Sequence, residues 1–363
     1  MAQLEKAAVE QLLTTFIDPN HGLDLIAAKS VKAITIDGAN VQVKLELGYP
    51  ANSVIADLTT AVADLLKTLP GVGEVKVDIS VKIIAHAVQQ SLKPQANIKN
   101  IIAVASGKGG VGKSTTSVNL ALALTAEGAK VGILDADIYG PSIPTMLGLS
   151  GAPETINNKS MLPKTAYGVQ TMSIGYLVDV GQPLIWRGPM ATNTLQQLIR
   201  DTAWQDLDYL IIDLPPGTGD IQLTLAQQIP VSGAVIVTTP QDIALIDAQR
   251  GLTMFSKVNV PVLGVVENMG LHICSACGHE EAIFGTGGGA AMSEVNHVDF
   301  LGSLPLDRSI REFADSGSPT LVSEPDSRIA GIYKEIARKT AARLALRAKD
   351  FSHRFPTIVV QNT

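Results

Sequence analysis

The stretch Ala105-Ser-Gly-Lys-Gly-Gly-Val-Gly-Lys-Ser-Thr-Thr116 decides the fold of this chain, because it contains the phosphate-binding pattern G-x-x-x-x-G-K-[ST]. An apolar, β-branched run at 101–105 precedes it, and a helix-forming run at 118–124 follows it. The glycines let the backbone turn back so that several N–H groups converge on a polyphosphate at a helix N-terminus. Strand, loop and helix in this order predict a nucleotide site rather than an ordinary glycine-rich turn.

The loop residues have separate predicted roles in binding ATP. Lys113 is suited to neutralise the β- and γ-phosphates, and the hydroxyl of Ser114 is suited to bind Mg²⁺. Within the loop, the residues expected to contact ATP are Gly107, Lys108, Gly109, Gly110, Val111, Gly112, Lys113, Ser114 and Thr115.

Length and composition predict two domains with an aliphatic core. The chain has 363 residues, 46% of them hydrophobic but only 4% aromatic, as in buried parallel sheets built from Val, Ile, Leu and Ala. A formal charge of -6 gives no reason to expect a nucleic-acid partner. The sequence has neither an apolar run of membrane-spanning length nor the layout of a signal peptide, so we expect a cytoplasmic protein that does not bind membrane.

Residues 1–85 are predicted to form a small α+β domain, and residues 86–99 a flexible linker. Two alternating runs flank Asp37-Gly38, a strong hairpin signal. Because the linker is expected to be flexible, a chain starting near Lys99 should keep its fold and activity. The predicted elements are a helix over 4–16, strands over 31–36 and 41–47, a helix over 54–69 and a strand over 75–83.

Residues 100–350 are predicted to form a P-loop ATPase domain of the α/β class, and residues 351–363 a C-terminal tail. Strands that alternate with crossover helices imply a doubly wound, mainly parallel sheet with ligands at the carboxyl ends of its strands. We expect strands over 101–105, 131–134, 169–174, 210–213, 234–238, 262–267 and 300–303, and helices over 193–204, 221–228, 243–255 and 327–349, the last capped by Asp326.

Acidic residues follow two of these strands. Asp135 and Asp137 follow the strand at 131–134. In such a pair one carboxylate can support a metal ion while the other orients an attacking water; capping of a turn is the alternative. Asp213 follows the apolar run at 209–212 and precedes a glycine-containing loop. This placement matches the Walker B aspartate, which holds Mg²⁺ through water.

The two cysteines of the chain, Cys274 and Cys277, form a C-x-x-C pair. A tetrahedral zinc or a cubane cluster needs four ligands, and the same motif in a second subunit would supply the missing two. His272 and His279 are alternative ligands for zinc within one chain. A bridging iron–sulfur cluster, a bridging zinc and inert cysteines all remain open from the residues alone.

Lys108 makes the loop resemble the deviant phosphate loop of ATPases related to the Min system, the partition ATPases and the nitrogenase iron protein. The resemblance implies that Lys108 reaches the nucleotide of the other subunit, as an arginine finger does; a solvated lysine is the alternative. It also implies that Asp137 positions the water and that Asp135 supports the Mg²⁺ site. For Asn268 the resemblance implies hydrogen bonds to the adenine base; capping of a backbone group is the alternative.

The chain as a whole resembles the Mrp/ApbC-type iron–sulfur cluster carrier ATPases. Residues 1–85 resemble the iron–sulfur-assembly domain often fused in front of them, although the usual cysteine is missing from the turn at 47–53. The resemblance implies a homodimer that receives a labile [4Fe–4S] cluster from a scaffold or donor, holds it between Cys274 and Cys277 of both subunits, and passes it to apoproteins. The matching segments are SGKGGVGKST, LDADIYGPSIPTMLG, LIWRGPM (184–190), DYLIIDLPPGTGD, TTPQDIALIDAQRG, VVENM with CSACG, and LGSLPLDRSIRE.

Two other functions remain as alternatives. A Min- or partition-like positioning ATPase would use the basic C-terminal helix on a membrane, although packing of that helix against the sheet is the simpler interpretation. A zinc-bridged dimeric scaffold would use the cysteines without any cluster transfer.

Overall fold

The computed structural model describes residues 4–89, 92–156, 159–177, 188–274 and 276–349. Within these ranges a small N-terminal sheet and a large sheet with helices on both faces pack together. The predicted tail at 351–363 and residues 184–187 of the LIWRGPM segment lie outside the described residues.

The N-terminal domain has a three-stranded sheet in the order β1-β2-β3, with β1 and β2 antiparallel and β2 and β3 parallel. The first helix is shorter than predicted, because the hydroxyls of Thr14 and Thr15 bond back to the carbonyls of Gln11 and Leu12 where the helix ends. The elements are α1 (Lys6–Leu13), β1 (Val31–Asp37), β2 (Asn40–Leu47), α2 (Ile55–Lys67) and β3 (Val75–Val81).

The large sheet has eight strands in the order β15-β12-β11-β4-β10-β5-β9-β8. Seven run parallel as predicted, and the short edge strand β8 pairs antiparallel with β9, which the sequence reading missed. The strands of this domain are β4 (Ile98–Ala105), β5 (Val131–Asp135), β6 (Thr155–Ile156), β7 (Ser160–Met161), β8 (Lys164–Ala166), β9 (Val169–Ser173), β10 (Leu207–Asp213), β11 (Gly233–Thr238), β12 (Val262–Glu267), β13 (His272–Ile273), β14 (Glu280–Glu281) and β15 (Phe300–Ser303).

Helices cover both faces of this sheet and bury one apolar cluster on each side. The helices are α3 (Lys113–Ala126), α4 (Ile143–Met146), α5 (Gly188–Asp201), α6 (Asp220–Gln228), α7 (Asp242–Lys257), α8 (Gly288–Val295), α9 (Arg308–Asp315), α10 (Thr320–Ser323) and α11 (Arg328–Ala345), with a 3-10 turn at Ile174–Tyr176.

The C-terminal helix α11 packs against α3 and β15. Its apolar face, including Tyr333 and Ala337, is fully buried, so the packing interpretation of this basic helix is confirmed. The cap is not Asp326: the Oγ of Ser327 accepts the hydrogen bond from the Ala330 amide at 3.2 Å. Among the described residues, no helix combines the length and apolar character needed to cross a bilayer.

The segment predicted as a linker is packed over much of its described part. Strand β4 already begins at Ile98. Gln89 is buried, and its amide donates to the carbonyls of Ala226 and Ile229 and accepts from the amide of Val231. These bonds fasten the segment to the large domain.

Candidate nucleotide site and cysteine half-site

Strand order places the acidic residues beside the glycine-rich loop. β10 lies between β4 and β5, and in this register Asp213 is the Cα partner of Val104 on one side and of Asp135 on the other. The loop leaves the end of β4, so both aspartates lie under it at the carboxyl edge of the sheet. This is where a doubly wound sheet binds ligands.

The loop from β4 to α3 surrounds a cleft of about 220 Å³. Gly110 and Gly112 both have φ of +81°, a conformation that a residue with a side chain rarely adopts, and Gly112 directly precedes α3. The cleft is lined by Ser106, Gly109, Gly110, Gly112, Lys113, Ser114, Thr115, Asp137, Ser142, Met146 and Pro216.

Lys113 and Ser114 converge on Asp213, as expected for a phosphate lysine and a magnesium pair. Lys113 Nζ lies 2.7 Å and Ser114 Oγ 2.6 Å from Oδ2 of Asp213. The side chain of Lys113 is only 6% exposed, so its charge is balanced inside the cleft by this carboxylate. A hydroxyl and a carboxylate oxygen side by side form a donor set that suits Mg²⁺.

Ser117 is a site residue that the sequence reading missed. It is fully buried, and its Oγ lies 2.6 Å from Oδ1 of Asp213, the oxygen that faces away from Ser114. The signal was available, because Ser117 lies four residues after Lys113 and therefore on the same face of α3.

Asp135 and Asp137 occupy different environments. Asp135 is fully buried; its Oδ1 accepts from the Asp137 amide, and its Oδ2 accepts from Ser173 Oγ at 3.0 Å and the Ile143 amide at 3.2 Å. Burial, and then the charge of Asp213, raise the pKa of Asp135 to about 7. Asp135 thus holds the backbone of the segment that presents Asp137.

The carboxylate of Asp137 opens into the cleft, with Oδ2 3.9 Å from Lys113 Nζ. Burial raises its pKa above the ordinary value, and the ammonium of Lys113 opposes that rise. An acceptor at this point of the cleft is suited to orient a water molecule beside the phosphates.

Lys108 is partly exposed, and within the described residues no carboxylate forms an ion pair with its ammonium. Its neighbour Gly107 lies against α7: a Cβ on Gly107 would come within 2.2 Å of the Asp247 backbone. Only glycine fits there, which explains the first glycine of the motif.

Asn268 follows β12 and touches the loop from the other side. Its Nδ2 donates to the carbonyl of Val111 at 2.9 Å, and its Oδ1 accepts from the Met269 amide at 3.0 Å. Both ends of the amide therefore have backbone partners. Recognition of adenine by this side chain stays a prediction and would require it to exchange one of them.

Cys274 and Cys277 lie in the tight turn of the β13–β14 hairpin. The Cys274 amide donates to the His279 carbonyl at 2.9 Å, and the Gly278 amide donates to the Cys274 carbonyl at 2.8 Å. Gly278 takes φ of +71°, which allows the turn to close. Both thiols are free, and Cys277 is exposed.

Backbone donors surround the sulfur of Cys274. The amides of Ala276 and Cys277 donate to it and lower the pKa of the thiol, because these bonds favour the thiolate. The thiolate is the metal-binding form of cysteine, so these hydrogen bonds favour the form of Cys274 that could bind a metal.

No group of three or more metal-binding side chains assembles within the described part of the chain. Neither His272 nor His279 therefore joins the two cysteines in such a group. This finding disfavours a single-chain Cys₂His₂ zinc site and leaves a two-ligand half-site.

The hairpin is fixed to the strands that carry the nucleotide site. The Gly270 amide donates to the Leu304 carbonyl at 3.0 Å, and the Leu306 amide donates to the Leu271 carbonyl at 2.7 Å. Since Asn268 bonds to the phosphate loop two residues before Gly270, one short segment connects the loop to the cysteine turn.

Comparisons with known proteins agree with this geometry. The model of the NUBPL iron-transfer P-loop NTPase family matches residues 97–341, and that of an iron–sulfur cluster assembly protein family matches residues 6–79. The iron–sulfur cluster carrier protein of Salmonella typhimurium is 52% identical over 344 residues, covering 93% of this chain and 92% of that protein. The mouse iron–sulfur cluster transfer protein NUBPL is 52% identical over 254 residues, covering 69% and 80%.

Solved structures show the same fold in the large domain. A nucleotide-binding protein from Archaeoglobus fulgidus in complex with ADP superposes with a TM-score of 0.56 at 37% identity, covering 64% of this chain and 90% of that one. The cell division ATPase MinD of Pyrococcus furiosus superposes with a TM-score of 0.51 at 22% identity, covering 66% and 97%, and supports the fold alone. The predicted resemblance is confirmed: the chain belongs to the iron–sulfur cluster carrier family of P-loop NTPases.

Proposed function

We propose that this protein is a cytoplasmic, Mg²⁺-dependent ATPase that binds a labile [4Fe–4S] cluster between two copies of the chain and transfers it to apoproteins. The observation that carries the proposal is the turn with Cys274 and Cys277, two free thiols on the same segment that contacts the phosphate loop. Two free thiols also suit the reducing conditions of the cytoplasm.

The cleft residues have complementary roles in ATP hydrolysis. Loop amides and Lys113 hold the phosphates. Ser114 and Asp213 would hold Mg²⁺, which would neutralise negative charge on the phosphates. Asp137 accepts a hydrogen bond from the water that attacks the γ-phosphorus as the bond to ADP breaks. Lys108 of a second copy would stabilise the charge that develops on the transferred group.

The cluster is the cargo, and four thiolates from two chains match its need for ligands. Movement of the phosphate loop on binding or hydrolysis would reach the cysteine turn through Asn268. ATP turnover would thereby change how tightly the two half-sites hold the cluster, before its release to a client protein.

Anaerobic reconstitution with iron and sulfide tests the proposal. The parent should turn brown and hold about four irons per dimer, because four thiolates saturate one cubane. Cys274→Ala and Cys277→Ala should each lose most of the colour but keep ATP hydrolysis, since the thiols lie outside the cleft.

His279→Ala is the matched control and should keep the colour, because its side chain is exposed beside the same turn. A colourless parent that carries one zinc per dimer would replace the carrier function with the scaffold alternative. ATP-dependent sedimentation with liposomes would instead support a positioning ATPase.

A further inference from the structure

The turn over 48–53 of the N-terminal domain contacts the large domain. The Asn52 amide donates to the Glu127 carbonyl at 3.2 Å. The Ser53 amide donates to Oε2 of Glu127 at 2.9 Å, and Ser53 Oγ donates to Oε1 at 2.5 Å. The Glu127 side chain is 0% exposed, so the turn covers a buried carboxylate.

Arg338 of α11 completes this contact, which we call the domain joint (turn 48–53, Glu127 and Arg338). Its guanidinium lies 2.6 Å from Oε1 of Glu127 and 2.8 Å from Ser53 Oγ, and its Nε lies 3.4 Å from Oδ1 of Asn20. The arginine neutralises a carboxylate that would be costly to bury alone. The joint thereby ties the small domain to both α3 and α11.

The side chain of Asn52 packs closely against the backbone of the large domain at the joint. Gly128 has φ of +100°, and a Cβ on it would come within 2.5 Å of Nδ2 in the Asn52 side chain. Tyr49 and Ala51 are buried in the same apolar cluster as Leu124 of α3. The turn therefore acts as a docking surface.

Glu127 immediately follows α3, the helix that begins at Lys113. A helix of 14 residues is a rigid rod of about 20 Å, so the joint fixes one end of the rod whose other end carries Lys113 and Ser114. We propose that the N-terminal domain positions the phosphate-loop helix through the domain joint, so that nucleotide affinity depends on its docking. This rests on the proposed function only in taking ATP and ADP as the ligands.

Ser53→Asp tests the proposal, because it places a second carboxylate against Glu127 and should undock the turn. Hydrogen exchange at residues 122–128 should accelerate, and the Kd for a fluorescent ADP analogue should rise about fivefold or more, as for a coupled pair of sites. Glu127→Gln in the Ser53→Asp background should reverse both effects, since it removes the like-charge contact. Ser53→Ala is a milder variant in case the aspartate prevents folding, and should shift both readouts in the same direction.

Ser80→Asp is the matched control: it adds the same charge to the same domain, at a hydroxyl that donates to the Leu45 carbonyl within the small sheet. It should leave exchange and Kd unchanged. Faster exchange in Ser53→Asp with an unaltered Kd would overturn the positioning role, and unaltered exchange would overturn the docking role. Because ADP binding is measured without turnover, a parent that fails to hydrolyse ATP would contradict the proposed function and leave this inference standing.

Discussion

Asp213 is the residue on which the contacts of the nucleotide site converge. One carboxylate oxygen accepts hydrogen bonds from Lys113 and Ser114, and the other accepts a hydrogen bond from Ser117. A buried hydroxyl that occupies the second oxygen fixes the rotation of the carboxylate and so directs the first toward the metal. Ser117 is therefore a positioning residue, although it lies outside the phosphate-binding motif.

Ser117→Ala should weaken the response to Mg²⁺ more than it slows turnover at saturating Mg²⁺. A hydrogen bond to a charged group is worth about 1.5–3 kcal/mol, so the Mg²⁺ concentration for half-maximal ATPase activity should rise roughly tenfold or more. Ser117→Thr should restore most of the response, because it keeps the hydroxyl.

The Ser117 hydroxyl also lies 3.0 Å from the Lys113 carbonyl oxygen, four residues earlier in α3. Thr125→Ala is the control for this measurement, since it removes a hydroxyl of the same helix that bonds in the same way to the Ala121 carbonyl but does not contact Asp213. An equal shift in the Mg²⁺ response of both variants would mean that Ser117 acts only on helix stability.

Lys108→Ala should separate binding from hydrolysis. The phosphates are held within one chain by Lys113 and the loop amides, so ATP affinity should change little. The rate should fall by a large factor, on the order of 10³ as for a lost finger residue. Turnover measured at several protein concentrations would check this, with exposed Lys257→Ala as a control. ATPase rates equal to the parent's would contradict a role for Lys108 in the partner's site.

At the scale of elements, the sequence predicted the seven parallel strands of the large sheet, including the edge strand β15, but missed the antiparallel edge strand β8 and the β13–β14 hairpin. The apolar runs ending in Asp135 and Asp213 are continuous rather than alternating, because these strands are buried on both faces, so strands and site carboxylates could be found together. The short strands β8, β13 and β14 bury little and are defined by tertiary pairing, which no local pattern encodes.

The candidate site was predictable only in part for a related reason. Lys113, Ser114 and Asp213 belong to motifs, whereas the contacts of Asn268 with Val111 and of Gly107 with Asp247 join segments far apart in sequence. Their partners are set by strand order. The role of Ser327 as helix cap was missed because Asp326 is an equally good capping residue by type.

A buried histidine in the segment between the domains should make the stability of the folded protein depend on pH. His86 is buried, with Nδ1 2.9 Å from Oδ1 of Asn100, and burial lowers its pKa below 6.5. The unfolded chain then binds more protons than the native one below that pH. Stability contributed by neutral His86 should therefore be lost as the pH falls below 6.5, by up to about 1.4 kcal/mol per pH unit.

Urea unfolding at pH 7.5 and 5.5 measures this effect. His86→Gln should reduce the difference in unfolding free energy between the two pH values, because glutamine does not titrate and can still donate to Asn100. His297→Gln, at an exposed histidine, should keep the parent's difference. The same difference in all three proteins would show that His86 does not control the acid response.

At the scale of the whole molecule, the two domains share one apolar cluster, and the N-terminal domain buries a second cluster of its own. Leu47, Tyr49 and Ala51 lie in the cluster that also contains residues of α3 and α11, and Gln89 bonds to the large domain. The sequence suggested independence because residues 86–99 lack periodicity and contain a proline. Packing between domains leaves no such local signal in the sequence. The expectation that the large domain is freely separable therefore rested on a sequence pattern that carries no information about this packing.

A chain that begins at Lys99 should consequently be less stable than the full chain, contrary to the expectation from sequence. Without Tyr49 and Ser53, apolar side chains of α3 and α11 are exposed to solvent, and the carboxylate of the buried Glu127 loses two hydrogen bonds. Re-exposing even one large apolar side chain costs about 1.5–3 kcal/mol, so the large domain should unfold at lower urea concentration and bind a hydrophobic dye. Glu127→Gln should destabilise the full chain more than the shortened one, because Arg338 loses its carboxylate partner in both, while the Ser53 donors are present only in the full chain. A shortened chain whose large domain unfolds at the same urea concentration as in the full protein would show that the shared core contributes nothing to its stability.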